Sequence, residues 1–336
     1  MKTNGNTRFE AWQVQEQDFP HEGSPADKLE FLIRYAILAP SGHNTQPWKF
    51  SVSEDEIQVF ADRTRWLRVC DPSQVSLHIG VGCALENLLI AAEHFGYEHR
   101  VAYFPEAGHE ELVAIVKLTP GGQPSPFRDA SLFHAITARH TSRSNYNGKP
   151  LSKQDSNRLQ QCCVEPGIWL DMIDDLESRR KVKDLLVRGH TIMMRDRAFR
   201  AETGYWVGQG IFNMPRLIAR LVQFTFPYVN PSIALTIMDS RLVMSTPLVA
   251  VLSSTVNDRE SQVKVGQVFE RVCLAATMLG IRVQPMSATV DVPETKAQMT
   301  KLLPNPDVIP QHVFRLGYAE PVKSPAPRRP FSEILA

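Results

Sequence analysis

The chain has 336 residues, of which 43% are hydrophobic and 22% are charged, and its formal net charge is +1. A chain of this length buries a large core in one or two domains, and its balanced charge argues against nucleic acid or a membrane surface as the main partner. The polar N-terminus shows no secretory signal, and no apolar run is long enough to span a membrane, so we expect a cytoplasmic protein without integral membrane segments.

The cysteines and histidines give no sign of a disulfide framework or a metal site. Five cysteines are scattered along the chain without a C-x-x-C pair, and the ten histidines include no H-E-x-x-H motif. We therefore expect buried, reduced thiols and no bound metal.

The first third of the chain predicts a helix, a hairpin, a second helix and two strands. Ser24 and Asp27 form a capping-box-like helix start, and the helix runs to about Leu38. KFSVSEDEIQVFAD then predicts a hairpin, GVGCALENLLIAAEHFG an amphipathic helix, and RVAYFP and ELVAIVKLTP two strands. The GGQPSP stretch at 121–126 predicts a linker.

After this linker the pattern of helices and strands begins again. FRDASLFHAITARH predicts a helix, and the apolar run TPLVAVLSST at 246–255 predicts a central strand. The break divides the chain into residues 1–125 and 126–336.

An internal repeat connects these two parts. VGCALENLLIAAEHFGY at 81–97 and VGQVFERVCLAATMLGI at 265–281 share Val, Gly, Glu, two Ala and Gly at the same positions. Two unrelated amphipathic core helices would share the apolar spacing, but that spacing does not account for the matched Gly and Glu.

Four segments resemble motifs of the nitroreductase-like flavoproteins. APSGHNTQPWKF at 39–50 resembles their Pro-Ser loop, ENLLIAAEHFGY their central helix, AITARHTSRSNY at 135–146 their Arg motif, and FRLGYAEPVKSPAPRRPFSEIL their C-terminal end. The resemblance implies an α+β nitroreductase-like fold with mixed or antiparallel sheets surrounded by helices.

The order of these motifs departs from the family pattern. In the family one subunit carries all four motifs, and FMN lies between the subunits of an interlocked dimer. Here residues 1–125 carry the Pro-Ser loop and a central helix, whereas 126–336 carry the Arg motif, a helix copy and the tail. The resemblance therefore implies a fused pseudo-dimer of the tandem, Acg-like branch, with one complete flavin site and one degenerate site.

The resemblance also implies which residues bind FMN. Arg139 and Thr141 match the family's phosphate contacts, and Arg143 matches the basic residue near the flavin pyrimidine edge. Without the resemblance, these arginines would be solvated side chains at a helix end, and the Pro-Ser loop would only end a helix. The other implied contacts are Pro40, Ser41, Gly42, Asn44, Pro285, Met286, Ser287, Arg328 and Arg329.

The implied activity is that of an oxidoreductase whose flavin is reduced by NAD(P)H and reoxidised by a nitroaromatic, a quinone or free flavin. No side chain is predicted to be catalytic, and no complete Rossmann, P-loop or G-x-S-x-G motif is present. A protein that sequesters flavin with little turnover and a partner-binding scaffold are the alternatives. The sequence leaves open the acceptor, the choice of NADH or NADPH, and whether the pseudo-dimer is a monomer or forms a further homodimer.

Residues 204–235 are unusually rich in aromatic and apolar side chains. Arg216, Arg220 and Pro227 argue against a membrane span. The resemblance to tandem relatives implies a lid over the flavin, with Trp206 against the face where nicotinamide would stack. A helix packed on the core and a basic helix at a membrane interface are the alternatives.

Overall fold

A computed structural model of the chain describes residues 7–212, 214–322 and 324–336. The described residues form eleven α-helices and eight β-strands. The helices are α1 (Pro25–Ala36), α2 (Val75–His94), α3 (Ala130–Ile136), α4 (Lys153–Gln160), α5 (Leu176–Arg195), α6 (Arg197–Gly208), α7 (Arg216–Thr225), α8 (Ser232–Met244), α9 (Arg259–Met278), α10 (Ala288–Asp291) and α11 (Pro293–Thr300). The strands are β1 (Trp48–Ser53), β2 (Glu56–Ala61), β3 (Tyr97–Tyr103), β4 (Leu112–Pro120), β5 (Ile168–Ile173), β6 (Leu248–Ser254), β7 (Arg282–Pro285) and β8 (Ile309–Gly317).

The strands of the described chain form two sheets with the same topology. The first sheet has the order β1-β2-β4-β3 and the second β5-β6-β8-β7. Neighbouring strands are antiparallel in both sheets. The α+β prediction is confirmed, and the repeated strand order shows that the chain contains two copies of one unit.

Several predicted elements are confirmed. Ser24 and Asp27 form a complete capping box at the start of α1, which ends at Ala36, two residues before the predicted end. The predicted hairpin corresponds to β1 and β2, and the predicted central strand is β6, which is buried at every position. The helix predicted after the linker is shorter than expected, since α3 spans only seven residues.

Helices α2 and α9, the two copies of the repeat, pack directly against each other. A Cβ atom on Gly82 would lie 2.1 Å from the carbonyl oxygen of Val263, and one on Gly266 would lie 2.1 Å from that of Ile79. These pairs occupy equivalent positions in the two helices, so the contact is reciprocal, as in a symmetric dimer interface. The matched glycines thus allow the close crossing of the two helix backbones.

Among the described residues, α2 is the one helix long and apolar enough to cross a membrane. Inside the protein 89% of its apolar window is buried. Its apolar character on all sides is that of a central core helix, since it contacts both α1 and α9.

The C-terminal tail crosses from the second half to the first. The amide of Phe50 in β1 donates to the carbonyl of Ile334, and the amide of Ala336 donates to the carbonyl of Phe50, both at 2.8 Å. The main hydrophobic core also combines the halves, with Leu85 from α2 and Val268 from α9. A second hydrophobic cluster, which includes Val182 and Val249, belongs to the second half alone. The division at 125/126 remains a prediction about repeat units.

The two halves differ most between the first two strands of each sheet. A two-residue turn joins β1 to β2, whereas helices α5 to α8 lie between β5 and β6. The aromatic segment 204–235 falls within this insertion, from the end of α6 to the start of α8.

Candidate functional site

The loop after α1 has an unusual backbone conformation. Its short 3-10 turn, Gly42–Asn44, places His43 and Asn44 at φ values of 48° and 57°. Residues other than glycine seldom adopt this left-handed region, so the loop needs specific contacts to hold it. One of them is the hydroxyl of Ser41, which accepts a hydrogen bond of 2.9 Å from the amide of Gln46.

Two cavities of about 320 and 150 Å³ meet at this loop. The larger volume lies within the usual range for small-molecule sites, about 300 to 1,000 Å³. The two cavities share a wall, so together they form one elongated site built from both halves of the chain. The residues common to both linings are Pro40, Ser41, Thr141, Arg143 and Phe212.

The structure brings eleven of the twelve predicted residues to this site. Besides the shared residues, the larger cavity is lined by Gly42, Pro285, Met286 and Ser287, and the smaller by Asn44, Arg139 and Arg328.

Arg329 is the predicted residue that lies outside both cavities. Its guanidinium is 3.1 Å from the Asp62 carboxylate and donates to the carbonyls of Gln46 and Trp48. Successive side chains of an extended segment point in opposite directions, so Arg328 and Arg329 cannot both face the cavity. Arg329 anchors the tail to the first half.

The smaller cavity is strongly cationic. Arg139, Arg143 and Arg328 line it, and its described lining contains no Asp or Glu. Arg143 has neither an ion pair nor a hydrogen bond within the described residues; its guanidinium lies 5.2 Å from the ring centroid of Phe212. Arg143 keeps an exposed surface, whereas Arg328 is buried, and burial together with the nearby Arg139 lowers the pKa of Arg328. Partly desolvated positive charges of this kind are stabilised by binding an anion.

A buried carboxyl lies behind this cationic wall. Nε of Arg139 is 3.3 Å from Oε1 of Glu270. Burial raises the pKa of the Glu270 carboxyl to about 7, and Arg139 only partly opposes this rise. At neutral pH a fraction of Glu270 is therefore protonated and leaves the arginine charges uncompensated.

The equivalent position in the other repeat has a closed ion-pair network. Glu86 accepts hydrogen bonds of 2.7 Å from Arg128 and 2.8 Å from Arg271. Although burial opposes ionisation, these two arginines lower the pKa of Glu86 to about 2. The repeated glutamates thus face opposite surroundings, since only Glu270 lies beside a cavity with spare positive charge.

The larger cavity contains an aspartate–histidine pair that the sequence analysis missed. The buried carboxylate of Asp239 in α8 binds Nδ1 of His190 in α5, and both residues line the cavity. Nε2 of His190 has no hydrogen-bond partner in the described part of the chain. The two residues lie on different helices, and no short motif connects them.

His43 of the Pro-Ser loop lines the same cavity. Its Nδ1 is buried without a hydrogen-bond partner among the described residues, and burial lowers its pKa to about 4. His43 is therefore neutral at physiological pH and leaves a polar atom unpaired, as expected where a ligand supplies the missing contact.

Two residues of the segment predicted to be a lid, Ile211 and Phe212, line the site. Ile211 lines the smaller cavity, and its carbonyl accepts a hydrogen bond of 2.8 Å from the Asn44 side chain. Phe212 lines both cavities. Trp206 does not take the expected position, because it is buried in a separate hydrophobic cluster that includes Leu67. The aromatic side chain of this segment that lines the site is Phe212.

A larger hollow of about 830 Å³ opens elsewhere on the surface. Arg329 is the one predicted site residue in its described lining. Acidic side chains predominate there, so the hollow does not suit an anionic ligand. Its charged lining residues are Glu10, Asp18, Asp27, Glu30, Arg34 and Arg329.

The fold and the site together define an α+β protein whose two pseudo-symmetric halves enclose a cavity with a cationic end. No family model matches the chain. The Mycobacterium tuberculosis proteins named "Putative NAD(P)H nitroreductase Rv3131" and "Putative NAD(P)H nitroreductase acg" are each 24% identical to it, over 92% of this chain and 91% and 95% of their own lengths.

A solved structure from Anabaena variabilis, described as a putative nitroreductase, shares the fold. Its TM-score is 0.50 at 12% identity, over 84% of this chain and 82% of that one. Over most of its length the chain is therefore similar to nitroreductase-like proteins in sequence and in fold.

Proposed function

We propose that the chain is an FMN-dependent NAD(P)H oxidoreductase of nitroreductase type that acts in the cytoplasm. The observation that carries this proposal is the elongated cavity, with spare positive charge at one end and eleven implied FMN contacts in its walls. The names of the two mycobacterial relatives support NAD(P)H as the electron donor.

The cavity residues fit FMN in shape and charge. The phosphate carries up to two negative charges and needs cations, which Arg139 and Arg328 supply beside the hydroxyl of Thr141. The larger cavity would hold the flavin ring, with Arg143 shared between the two compartments. Bound FMN would supply electron transfer from NAD(P)H to a small acceptor such as a nitroaromatic, a quinone or free flavin.

The chain itself supplies charge, shape and a proton-exchanging group. Arg143 would provide a positive charge beside the bound flavin ring, and Phe212 lies where the two cavities meet. Asp239 accepts the Nδ1 proton of His190, so Nε2 is the atom that exchanges protons with the cavity. Reduction of a quinone or nitro oxygen requires proton uptake, and His190 is placed to provide it.

His190→Gln is therefore expected to lower quinone turnover about 100-fold, the lower range for loss of a general acid. FMN affinity should not change, because the phosphate end is untouched. The measurement is steady-state turnover with a quinone acceptor at saturating FMN. His134→Gln, an exposed site, is the control. Unchanged turnover would exclude the proton-donating role.

Glu270 makes FMN binding depend on pH. Its carboxyl ionises near pH 7 and then neutralises Arg139, so affinity for the phosphate should fall as pH rises through 7. The second phosphate pKa is near 6, so the ligand changes little above pH 6.5. We expect a rise in Kd of about threefold to tenfold between pH 6.5 and 8.5, measured by quenching of flavin fluorescence. Glu270→Gln should remove this rise; an equal pH dependence in the variant would contradict the assignment.

An absorption spectrum of the purified protein, followed by anaerobic addition of NADH or NADPH, tests the proposed function. A flavin spectrum that bleaches rapidly supports the oxidoreductase. A colourless protein that takes up no added FMN rejects the flavin proposal.

A flavin-sequestering protein is the second candidate, favoured by Ile211 and Phe212 over the site. It predicts a flavin spectrum that bleaches slowly and is bleached faster in Phe212→Ala. Replacing the whole 206–227 segment would be less informative, because Trp206 belongs to a buried cluster.

A further inference from the structure

The exposed apolar side chains are concentrated in one part of the molecule. Ten of the seventeen large apolar residues exposed in the described chain lie between residues 217 and 244. Leu217, Phe224 and Ile233 are 86%, 68% and 78% exposed. Single exposed apolar residues are common, but a concentration of this size marks an interaction surface.

The packing of α7 determines which of its faces points outward. A Cβ atom on Gly208 of α6 would lie 2.0 Å from Oε1 of Gln223, so the Gln223 side of α7 presses against α6. Ala219 on this inner side is 2% exposed. The opposite face carries Leu217 and Phe224, which lie seven residues, or about two helical turns, apart. The outward face of α7 is therefore apolar although the helix is already packed on one side.

The connecting loop and helix α8 also carry exposed apolar side chains. Tyr228 in the loop is 73% exposed, and Ile233 and Ile237, four residues apart on one face of α8, are 78% and 50% exposed. We call the outward residues of α7, of the loop and of α8 the outer α7–α8 surface.

The charges of the outer α7–α8 surface are all positive. Between residues 209 and 246 the charged side chains are Arg216, Arg220, Arg241 and Asp239. The three arginines are exposed, whereas Asp239 is 4% exposed and paired with His190. Apolar side chains flanked by arginines, without an exposed acid, are typical of segments that lie in the interface of an anionic membrane.

We propose that the outer α7–α8 surface docks on the headgroup region of an anionic lipid bilayer. A second copy of the chain fits less well, since a two-fold contact would bring together two surfaces whose exposed charges are all positive. Docking would place lipid beside the cavity opening, because Met238 is exposed and also lines the larger cavity. The proposal does not depend on the bound cofactor.

The test is flotation of the full-length protein with vesicles of phosphatidylcholine alone or with 30% phosphatidylglycerol, which is about the anionic content of a charged leaflet. We expect binding to the anionic vesicles at low salt, at least about tenfold stronger than to neutral ones and weakened by 0.5 M salt. No binding to either vesicle, or equal binding to both, overturns the proposal.

Two variants separate the contributions of the surface. Leu217→Ser with Phe224→Ser and Ile233→Ser should lower binding to anionic vesicles at least about tenfold, because apolar burial is lost. Arg216→Gln with Arg220→Gln should abolish the preference for anionic lipid. Val164→Ser with Val256→Ser, exposed apolar sites outside the surface, should bind like the wild type.

The mass of the protein in solution tests whether a second copy of the chain covers the outer α7–α8 surface instead of lipid. If the wild type is a dimer that fails to float and the Leu217, Phe224 and Ile233 variant is a monomer, a second copy covers the surface and the membrane proposal is wrong. A thermal unfolding curve for each variant confirms that lost flotation does not reflect unfolding.

Discussion

Replacing Arg139 and Arg143 together with glutamine is expected to weaken FMN binding at least about 100-fold and to give a folded, colourless protein. Hydrogen bonds to charged groups contribute about 1.5 to 3 kcal/mol each, and every 1.4 kcal/mol is a factor of ten in affinity. Both side chains line the cationic cavity, and Arg143 has no competing ion pair within the described residues. The measurement is flavin content after purification and Kd by fluorescence titration.

Two further proteins control this experiment. Arg63→Gln with Arg259→Gln removes two partly exposed arginines that pair with Glu110 outside the cavities and should leave FMN binding intact. Adding Glu270→Gln to the cavity variant avoids an unpaired buried carboxylate, so a loss of flavin in that protein cannot be attributed to Glu270.

The same fluorescence titration gives the number of FMN molecules bound per chain. We expect one FMN per wild-type chain, since the repeat position at Glu86 is already neutralised by Arg128 and Arg271. Two equivalent flavins per chain would contradict this asymmetry. Wild-type affinity in the cavity variant would reject the proposed phosphate site.

Gly82→Ala is expected to lower the free energy of unfolding by about 3 kcal/mol or more, at the upper end of the usual cost of overpacking. The new methyl group would lie 2.1 Å from the carbonyl oxygen of Val263 in the facing helix. The backbones of α2 and α9 cannot move apart independently to make room for this methyl group, because the two helices form the centre of both halves. Urea denaturation followed by circular dichroism measures the change.

Two comparison variants separate the cost of the close helix crossing from the cost of replacing a glycine. Gly96→Ala adds a methyl where no atom lies within 4 Å, so only its positive φ of 80° costs stability, about 1 kcal/mol. Gly266→Ala should be as costly as Gly82→Ala, since its Cβ would lie 2.1 Å from the Ile79 carbonyl. If Gly82→Ala costs no more than Gly96→Ala, the two helices do not cross as closely as described.

Local sequence signals determined much of the fold. Ser24 and Asp27 cap α1 as predicted because a capping box involves residues only three positions apart. The matched Gly82 and Gly266 identified the repeat because a close helix crossing excludes any larger side chain. The motif resemblance was also sufficient to indicate eleven residues that meet in one site.

The tertiary structure decided which side chains face one another. Arg328 and Arg329 are adjacent residues of the same type, so the sequence does not distinguish their roles. In the structure Arg328 lines the cavity, whereas Arg329 pairs with Asp62. His190 and Asp239 meet only because α5 and α8 pack together. A balanced net charge likewise conceals the segregation of arginines and apolar residues on the outer α7–α8 surface. Composition and short motifs record local conformational preferences, whereas burial and pairing depend on contacts between residues far apart in the chain.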